Sequence, residues 1–480
     1  MLRHLMIFAS IVSVLSTASA AHADPATPEI SPNVLPFVKY AEPRIAITHV
    51  RVIDGTGAPA VADQIVIIDG GKITAFGPAA STALPPDATV IDGTNKTLIP
   101  GIVGMHEHLF YLVGSPAAGH AMYYSFPRLY LAAGVTTIRT AGSMEPYADL
   151  NLKREIDAGR VPGPDIDVSG PYVSGPGSRL YMIQPRNPQE VADMVNYYAD
   201  IGITSFKAYA FATRSSLNAL IEAAHKRGLK VAGHLCAVTF HEAIDMGIDS
   251  LEHGLAVATD FDPGKKPDEC PPAKTHVEAL TKLDVEGPQV QELIHDLVTH
   301  HVAITSTLAV FETEAPERFP PEQRMLDLLD AQARLDYLAA REKLLARHDS
   351  SGAQLLKKEM QFEHDFVNAG GLLVAGSDPT GYGGSVAGLG DQRNIELLVE
   401  AGFTPEQAIH IATANGAQFE DRLNTIGTIA PGKNADLVLI DGDPSTNIAD
   451  VERVEVVFKN GLGFDSPKLF AAMKAQVGRQ

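Results

Sequence analysis

The chain has 480 residues, of which 45% are hydrophobic and 20% charged, a balance that can bury a large core and that argues against wholesale disorder. Its formal charge of −20 is spread along the chain with no acidic or basic block, which argues against a nucleic-acid partner, since that needs basic surface to offset phosphate. At this length two domains fit within one chain.

Residues 1–23 read as a secretory signal. Arg3 and His4 make a short positive start, Leu5 to Leu15 an apolar core, and the triplets ASA and AHA put cleavage after Ala20 or after Ala23. The apolar run is too short for a span of about 20 residues, so the mature chain is expected in the periplasm or outside the cell. Residues 24–44 are proline-rich and read as an extended lead-in. No later segment is long and apolar enough to cross a membrane. Cys236 and Cys270 alone exclude a disulfide-dense scaffold, and they are compatible with one bridge or with two separate thiols.

Residues 45–98 form short strands with turn punctuation: THVRVIDGTG, DQIVIIDGGKITAFG and ATVIDGTNKTLIP. From Leu98 onward, β-branched runs alternate with stretches of helical periodicity. The runs are TLIPGIVGMHEH, GVTTIRTAG, PDIDVSGPYV, GITSFKAYA, LKVAGHLCA, IDSLEHG, HVAITSTLAV and GLLVAGSDP. Ser215–Gly228 is a helix of this kind, with apolar residues at steps of three and four and a closing glycine. Phe311–Asn368 is expected to form helices covering the array, and the glycine-rich Gly381–Gly390 an active-site loop. Residues 426–480 return to the strand-and-turn pattern of the first flank.

Eight strand–helix repeats predict an α/β fold: a (β/α)8 TIM-type barrel over 99–425, with a small β-sandwich domain built from 45–98 and 426–480. An open doubly wound sheet is the alternative. It lacks a glycine-rich dinucleotide turn after an early strand, and the eighth repeat returns to a candidate ligand.

In a parallel barrel the C-terminal strand ends share one face, where active sites sit. Those ends carry His106 and His108 on the first strand, Lys207 on the fourth, His234 on the fifth, His253 on the sixth and Asp378 on the eighth. Each alone has an ordinary alternative: a hydrogen-bonded histidine, a lysine snorkelling to solvent, an aspartate starting a turn before Pro379. Together they suit Zn, Mn, Fe or Ni. Six ligands exceed what one catalytic zinc takes and suit two metals. A lysine between cations is driven to its neutral form, which can add carbon dioxide and become a bridging carbamate. Glu107 points away from its flanking histidines and reads as support for the site.

These segments in this order, together with AGFTPEQAIHIATANGAQF and IGTIAPGKNADLVLIDGDP, resemble the amidohydrolase superfamily of metal-dependent hydrolases over nearly the whole mature chain. The branch looks closest to imidazolonepropionase-related and dipeptidase-like members with a carboxylated lysine. The resemblance implies that His106, His108 and Asp378 hold the more buried metal, His234 and His253 the more exposed one, and carboxylated Lys207 bridges both. Two departures concern the substrate: Thr140 follows Arg139 where many relatives carry aspartate, and the loop after strand eight lacks a histidine found in some.

The implied reaction is cleavage of a C–N amide bond, in a dipeptide, N-acyl amino acid or aryl or cyclic amide. The attacking group would be a metal-bridging hydroxide, with Asp378 as proton shuttle. Tyr209 is a candidate oxyanion donor. Tyr172, Arg139, Arg179 and Arg186 are candidates for binding a substrate carboxylate at the barrel mouth. Ester or phosphotriester hydrolysis, ring deamination and a non-catalytic metal-binding role are the alternatives. Lys207 weighs against deamination, whose relatives usually keep one metal and lack this lysine. The expected partner is a small-molecule substrate, and a homo-oligomer is compatible with the sequence.

Overall fold

The computed structural model describes residues 30–479 apart from 115–116, 179–181, 319 and 382–383. The signal segment 1–23 and the first part of the lead-in lie outside the described residues.

The two flanks build one nine-stranded sheet. In spatial order it runs Val38–Tyr40, Leu462–Asp465, Val454–Lys459, Leu437–Ile440, Thr97–Pro100, Arg44–Val52, Val61–Asp69 and Lys72–Pro78, with Thr89–Asp92 also paired to Arg44–Val52. Both chain ends contribute, as expected, but the sheet begins at Val38, within the segment expected to be lead-in. By hydrogen bonding the strands of the expected sandwich are continuous, joined in one sheet. The reason lies in Arg44–Val52, where His49 takes a left-handed φ of 55° and interrupts the ladder. Before that break the strand pairs in parallel with Thr89–Asp92; after it, Arg51 and Val52 pair with Thr97 and Leu98. One strand therefore serves two neighbours along the same edge. Ile45, Ile47, Val66, Leu98, Leu437 and Val456 share the apolar core of this unit.

The run TLIPGIVGMHEH is divided between the two units. Thr97–Pro100 belongs to the nine-stranded sheet, and Ile102–Glu107 opens the parallel array. Gly101 between them has no room for a side chain, because a Cβ there would overlap the hydroxyl of Thr136. The parallel strands are Ile102–Glu107, Val135–Thr140, Asp165–Asp167, Ser205–Ala208, Lys230–Gly233, Ser250–Glu252, Ala303–Ser306 and Leu373–Ala375. They form a three-stranded and a five-stranded sheet, bridged at Ser169 and Ser205. Past the eighth strand, the Asp378 N–H donates to the His106 carbonyl at 3.0 Å, so that segment meets the end of the first strand.

Helices between the strands bury one side each. In Arg214–Lys226, Thr213 and Ser216 form a capping box, and Leu217, Leu220, Ile221 and Ala224 face inward. After the seventh strand come Leu308–Glu312, Gln323–Leu328, Ala331–Leu345 and Ser351–Asn368, the helical region expected there. Of the glycine-rich stretch, Gly388 precedes the helix Leu389–Glu400, which includes Gly390. Cys236 and Cys270 form a disulfide across a Cα separation of 5.2 Å. Among the described residues no helix is long and apolar enough to cross a membrane.

Candidate metal centre

The first strand places His106 and His108 on the same side, as alternation requires, and both are buried. The His106 Nε2 lies 3.0 Å from Lys207 Nζ and 3.7 Å from Asp378 Oδ1. The His108 Nε2 lies 3.0 Å from Asp378 Oδ1, and the His253 Nε2 lies 3.9 Å from Asp378 Oδ2. The His234 ring packs 4.5 Å from that of His253, centroid to centroid. All six residues expected as ligands therefore come to one place, at the ends of five different strands. His253 and Asp378 carry left-handed φ values of 69° and 45°, so each sits where the chain turns sharply out of its strand.

A shell of hydrogen bonds aims these groups. Glu252 accepts from His106 Nδ1 at 2.6 Å and is itself held by the Arg139 guanidinium at 2.7 Å. Burial alone would raise the Glu252 carboxyl, but Arg139 and His106 overcome it and hold it well below the usual carboxylate range. An ionised Glu252 accepts a hydrogen bond from Nδ1–H and so keeps the proton on that nitrogen, which leaves the His106 Nε2 lone pair facing the cluster. Tyr172 hydroxyl lies 3.2 Å from His108 Nδ1, and Thr307 hydroxyl 2.7 Å from His253 Nδ1. Glu107 turns away, as expected, and accepts from the Ser377 N–H at 2.9 Å and the Ser377 hydroxyl at 2.6 Å, bracing the residue before Asp378.

Burial lowers every one of the histidines, to about 4 for His108 and about 3 for His234, so the imidazoles are neutral and available as donors. The Lys207 amine, fully buried, is pushed down by burial to about 8 despite the nearby Glu252 and Asp378 carboxylates. Asp378 moves the other way: burial would raise it, yet His106, His108 and His253 hold it well below the usual range.

The donor set fits divalent metal. His106, His253 and Asp378 each offer an atom within 4.8 Å of the others. The buried His253 Nε2 has no hydrogen-bond partner, and an orphaned buried polar atom of this kind is costly unless something binds it. Imidazole nitrogen and carboxylate oxygen are ligands of zinc and its first-row neighbours.

Of the residues expected to touch substrate, Tyr172 stands against His108, and its ring meets that of Tyr209 at 5.3 Å. The Tyr209 ring in turn packs 4.6 Å from His234. Arg139 is not on a mouth loop. It lies inside the second strand, donates to the Met105 carbonyl at 2.8 Å and to Glu252, and is 2% exposed. A guanidinium so enclosed has its charge answered by Glu252 and is walled off from a substrate. Arg186 is exposed and paired with Glu190 just before the helix Pro188–Ile201. Arg179 lies outside the described residues. Glu252 and Thr307 belong to the site although sequence reasoning passed over them. The only trace of Glu252 is its place before His253 in LEHG.

The sequence profile of the amidohydrolase family matches residues 97–462. An imidazolonepropionase from Streptomyces griseus subsp. griseus is 23% identical over 87% of this chain and 98% of its own. A shorter match, to adenine deaminase 2 of a Jannaschia species, is 41% identical but spans 12% of this chain and 9% of that protein. Among solved structures, a Xaa-Pro dipeptidase with methionine bound in its active site superimposes with a TM-score of 0.66 at 20% identity, covering 88% of this chain and 100% of that one. The chain belongs to the amidohydrolase family of hydrolases.

Proposed function

We propose that this protein is a two-metal amidohydrolase that cleaves the C–N amide bond of a dipeptide or N-acyl amino acid. The observation that carries the reading is Lys207: a fully buried amine, lowered to about 8 by burial, with its Nζ 3.0 Å from His106 Nε2 in a cluster of neutral histidines. The neutral amine adds carbon dioxide and releases a proton, giving a carbamate whose two oxygens can serve two ions. His106, His108 and Asp378 would hold one ion, His234 and His253 the other, and carbamylated Lys207 both, zinc being the first expectation and Mn, Fe or Ni the alternatives. Such a pair, when bound, acidifies water and polarises a carbonyl.

The chain's own groups do the rest. Glu252 and Thr307 fix the ring orientations of His106 and His253. The Asp378 carboxylate, held ionised by His106, His108 and His253, accepts the proton of the attacking water and hands it to the leaving nitrogen. Tyr209, beside His234, is the group suited to donate to the developing oxyanion. Neutral histidines and a buried wall of Phe110, Tyr172 and Met182 exclude bulk water. The eight parallel strands are read as a closed barrel, supported by the Asp378-to-His106 link between last and first segments. The leader-like residues 1–23 and the Cys236–Cys270 disulfide support an exported, oxidising location. N-terminal sequencing of protein from the periplasm tests that location; a mature chain still beginning at Met1 would refute it.

Metal analysis and a screen of dipeptides and N-acyl amino acids test the reaction together. About two equivalents of metal per chain and hydrolysis of at least one substrate class are expected. Lys207→Ala should lose the metal pair and activity, while Lys207→Glu, which supplies a carboxylate, should keep part of each. Full metal content and full activity in the alanine variant would refute the assignment.

A further inference from the structure

The helix Ser351–Asn368 carries two buried acids one turn apart, Glu359 and Glu363, that the mechanism above leaves unused. Neither is at the surface, where glutamates on a helix ordinarily sit, and an apolar side chain of similar size would avoid the cost of burying a carboxyl. Their partners are specific. Glu359 Oε2 accepts the Ala256 N–H at 2.7 Å, in the turn Gly254–Val257 that begins one residue after His253. Its other oxygen fills the space above Gly254, where a Cβ would overlap it. Glu363 Oε2 accepts from the Ser306 hydroxyl at 2.9 Å, and Ser306 precedes Thr307, the partner of His253 Nδ1. The Asn394 amide also reaches the Ser306 hydroxyl, at 3.2 Å, and the Asn394 side-chain oxygen accepts the Ala309 N–H at 3.1 Å.

His253 is thus gripped on two sides by segments that this helix holds. Its own backbone is left-handed at φ 69° and that of Gly254 follows at 59°, two successive residues in a region that a histidine seldom occupies. Such a conformation persists only where its surroundings over-determine it. An acceptor for the first free N–H groups of the turn is what a carboxyl offers and an apolar side chain does not.

We propose that Glu359 and Glu363 are positioning residues for the metal ligand His253: Glu359 through the turn 254–256, Glu363 through Ser306 and Thr307. The inference rests on the two-metal reading and adds that the stability of one metal position is set from the helical region after the seventh strand.

Full-length protein loaded with Zn2+ and dialysed against a graded chelator series tests it, with metal per chain and melting temperature read on each variant. Glu359→Ala should bind one of its two ions roughly 10–100-fold more weakly, the range for loss of an outer partner of a metal ligand. Glu359→Gln keeps an acceptor for the Ala256 N–H and should retain both ions. Gly254→Ala, whose Cβ displaces the carboxyl, should copy Glu359→Ala. Phe366→Leu on the same helix controls for general loosening; it should lower the melting temperature and leave metal binding alone. Two ions held by Glu359→Ala as tightly as by the unmodified protein would overturn the proposal, as would equal loss in Phe366→Leu. An unmodified protein that binds no metal would instead overturn the two-metal reading on which it rests.

Discussion

Single residues in this site work through charge that is answered in a dry place. Arg139 and Glu252 are both buried and joined at 2.7 Å, with Glu252 passing its charge on to His106. Removing one member of such a pair leaves the other as an uncompensated buried charge, which typically costs about 3–5 kcal/mol. Arg139→Met should therefore lower unfolding free energy by that order in urea titrations; a change below about 1 kcal/mol would mean that solvent or another group already screens Glu252. Glu359 makes a prediction of opposite sense. Burial pushes its carboxyl up from 4.5 to about 8. Between those values the unfolded chain has released the proton while the folded chain still holds it, so stability is full at the acid end and falls as pH rises through the window. Glu359→Gln cannot release that proton, and its stability should exceed that of the unmodified protein increasingly from pH 5 to pH 8. Parallel stability curves for the two proteins over that range would refute the buried, protonated state.

At the scale of elements, the sequence shows most plainly whatever sits beside an apolar run. His106, His108, Lys207, His234, His253 and Asp378 each follow such a run, and each is in the cluster. Arg139 also follows one, yet its guanidinium is spent on the Met105 carbonyl and on Glu252 behind the cluster, so it supports the site and does not line it. Glu359 and Glu363 were hidden because acids four apart on a helix look like its solvent face. The continuity of the nine-stranded sheet was hidden because it turns on one left-handed residue, His49, a type that no hydrophobic pattern marks. The pairing of Cys236 with Cys270 needed the fold to bring together positions 34 apart in sequence. That bridge ties the end of the fifth strand, two residues past His234, to the excursion after the sixth. Closing a loop of this size is worth about 2–4 kcal/mol, so Cys270→Ser should lower stability by that order. Thermal melts of the two proteins, with and without a thiol reductant, check it: the reductant should shift only the unmodified one.

At the scale of the whole molecule, the six candidate ligands come from five strands that are otherwise held together by neighbour-to-neighbour pairing. The three-stranded and five-stranded sheets meet through bridges from Ser169 to Ser205 and from Val173 to Ala208, and the last segment meets the first through the Asp378 N–H. A metal pair held by His106, His108, Lys207, His234, His253 and Asp378 would cross-link both sheets at one end. An ion that binds only the folded chain stabilises it by RT ln(1 + [L]/Kd), about 4 kcal/mol when free metal exceeds Kd a thousandfold. The unfolded chain scatters these ligands from residue 106 to residue 378 and cannot assemble the same site. Stripping the protein with a chelator should therefore lower its melting temperature by several degrees while leaving its far-ultraviolet dichroism unchanged, because the strands themselves do not depend on the ions. Adding Zn2+ back should restore the loss, and Lys207→Ala should melt at the stripped temperature whether or not metal is present. A melting temperature unmoved by verified removal of the metal would mean that the array is rigid without it, and that the ligands are set by the hydrogen bonds of Glu252, Thr307 and Ser377 alone.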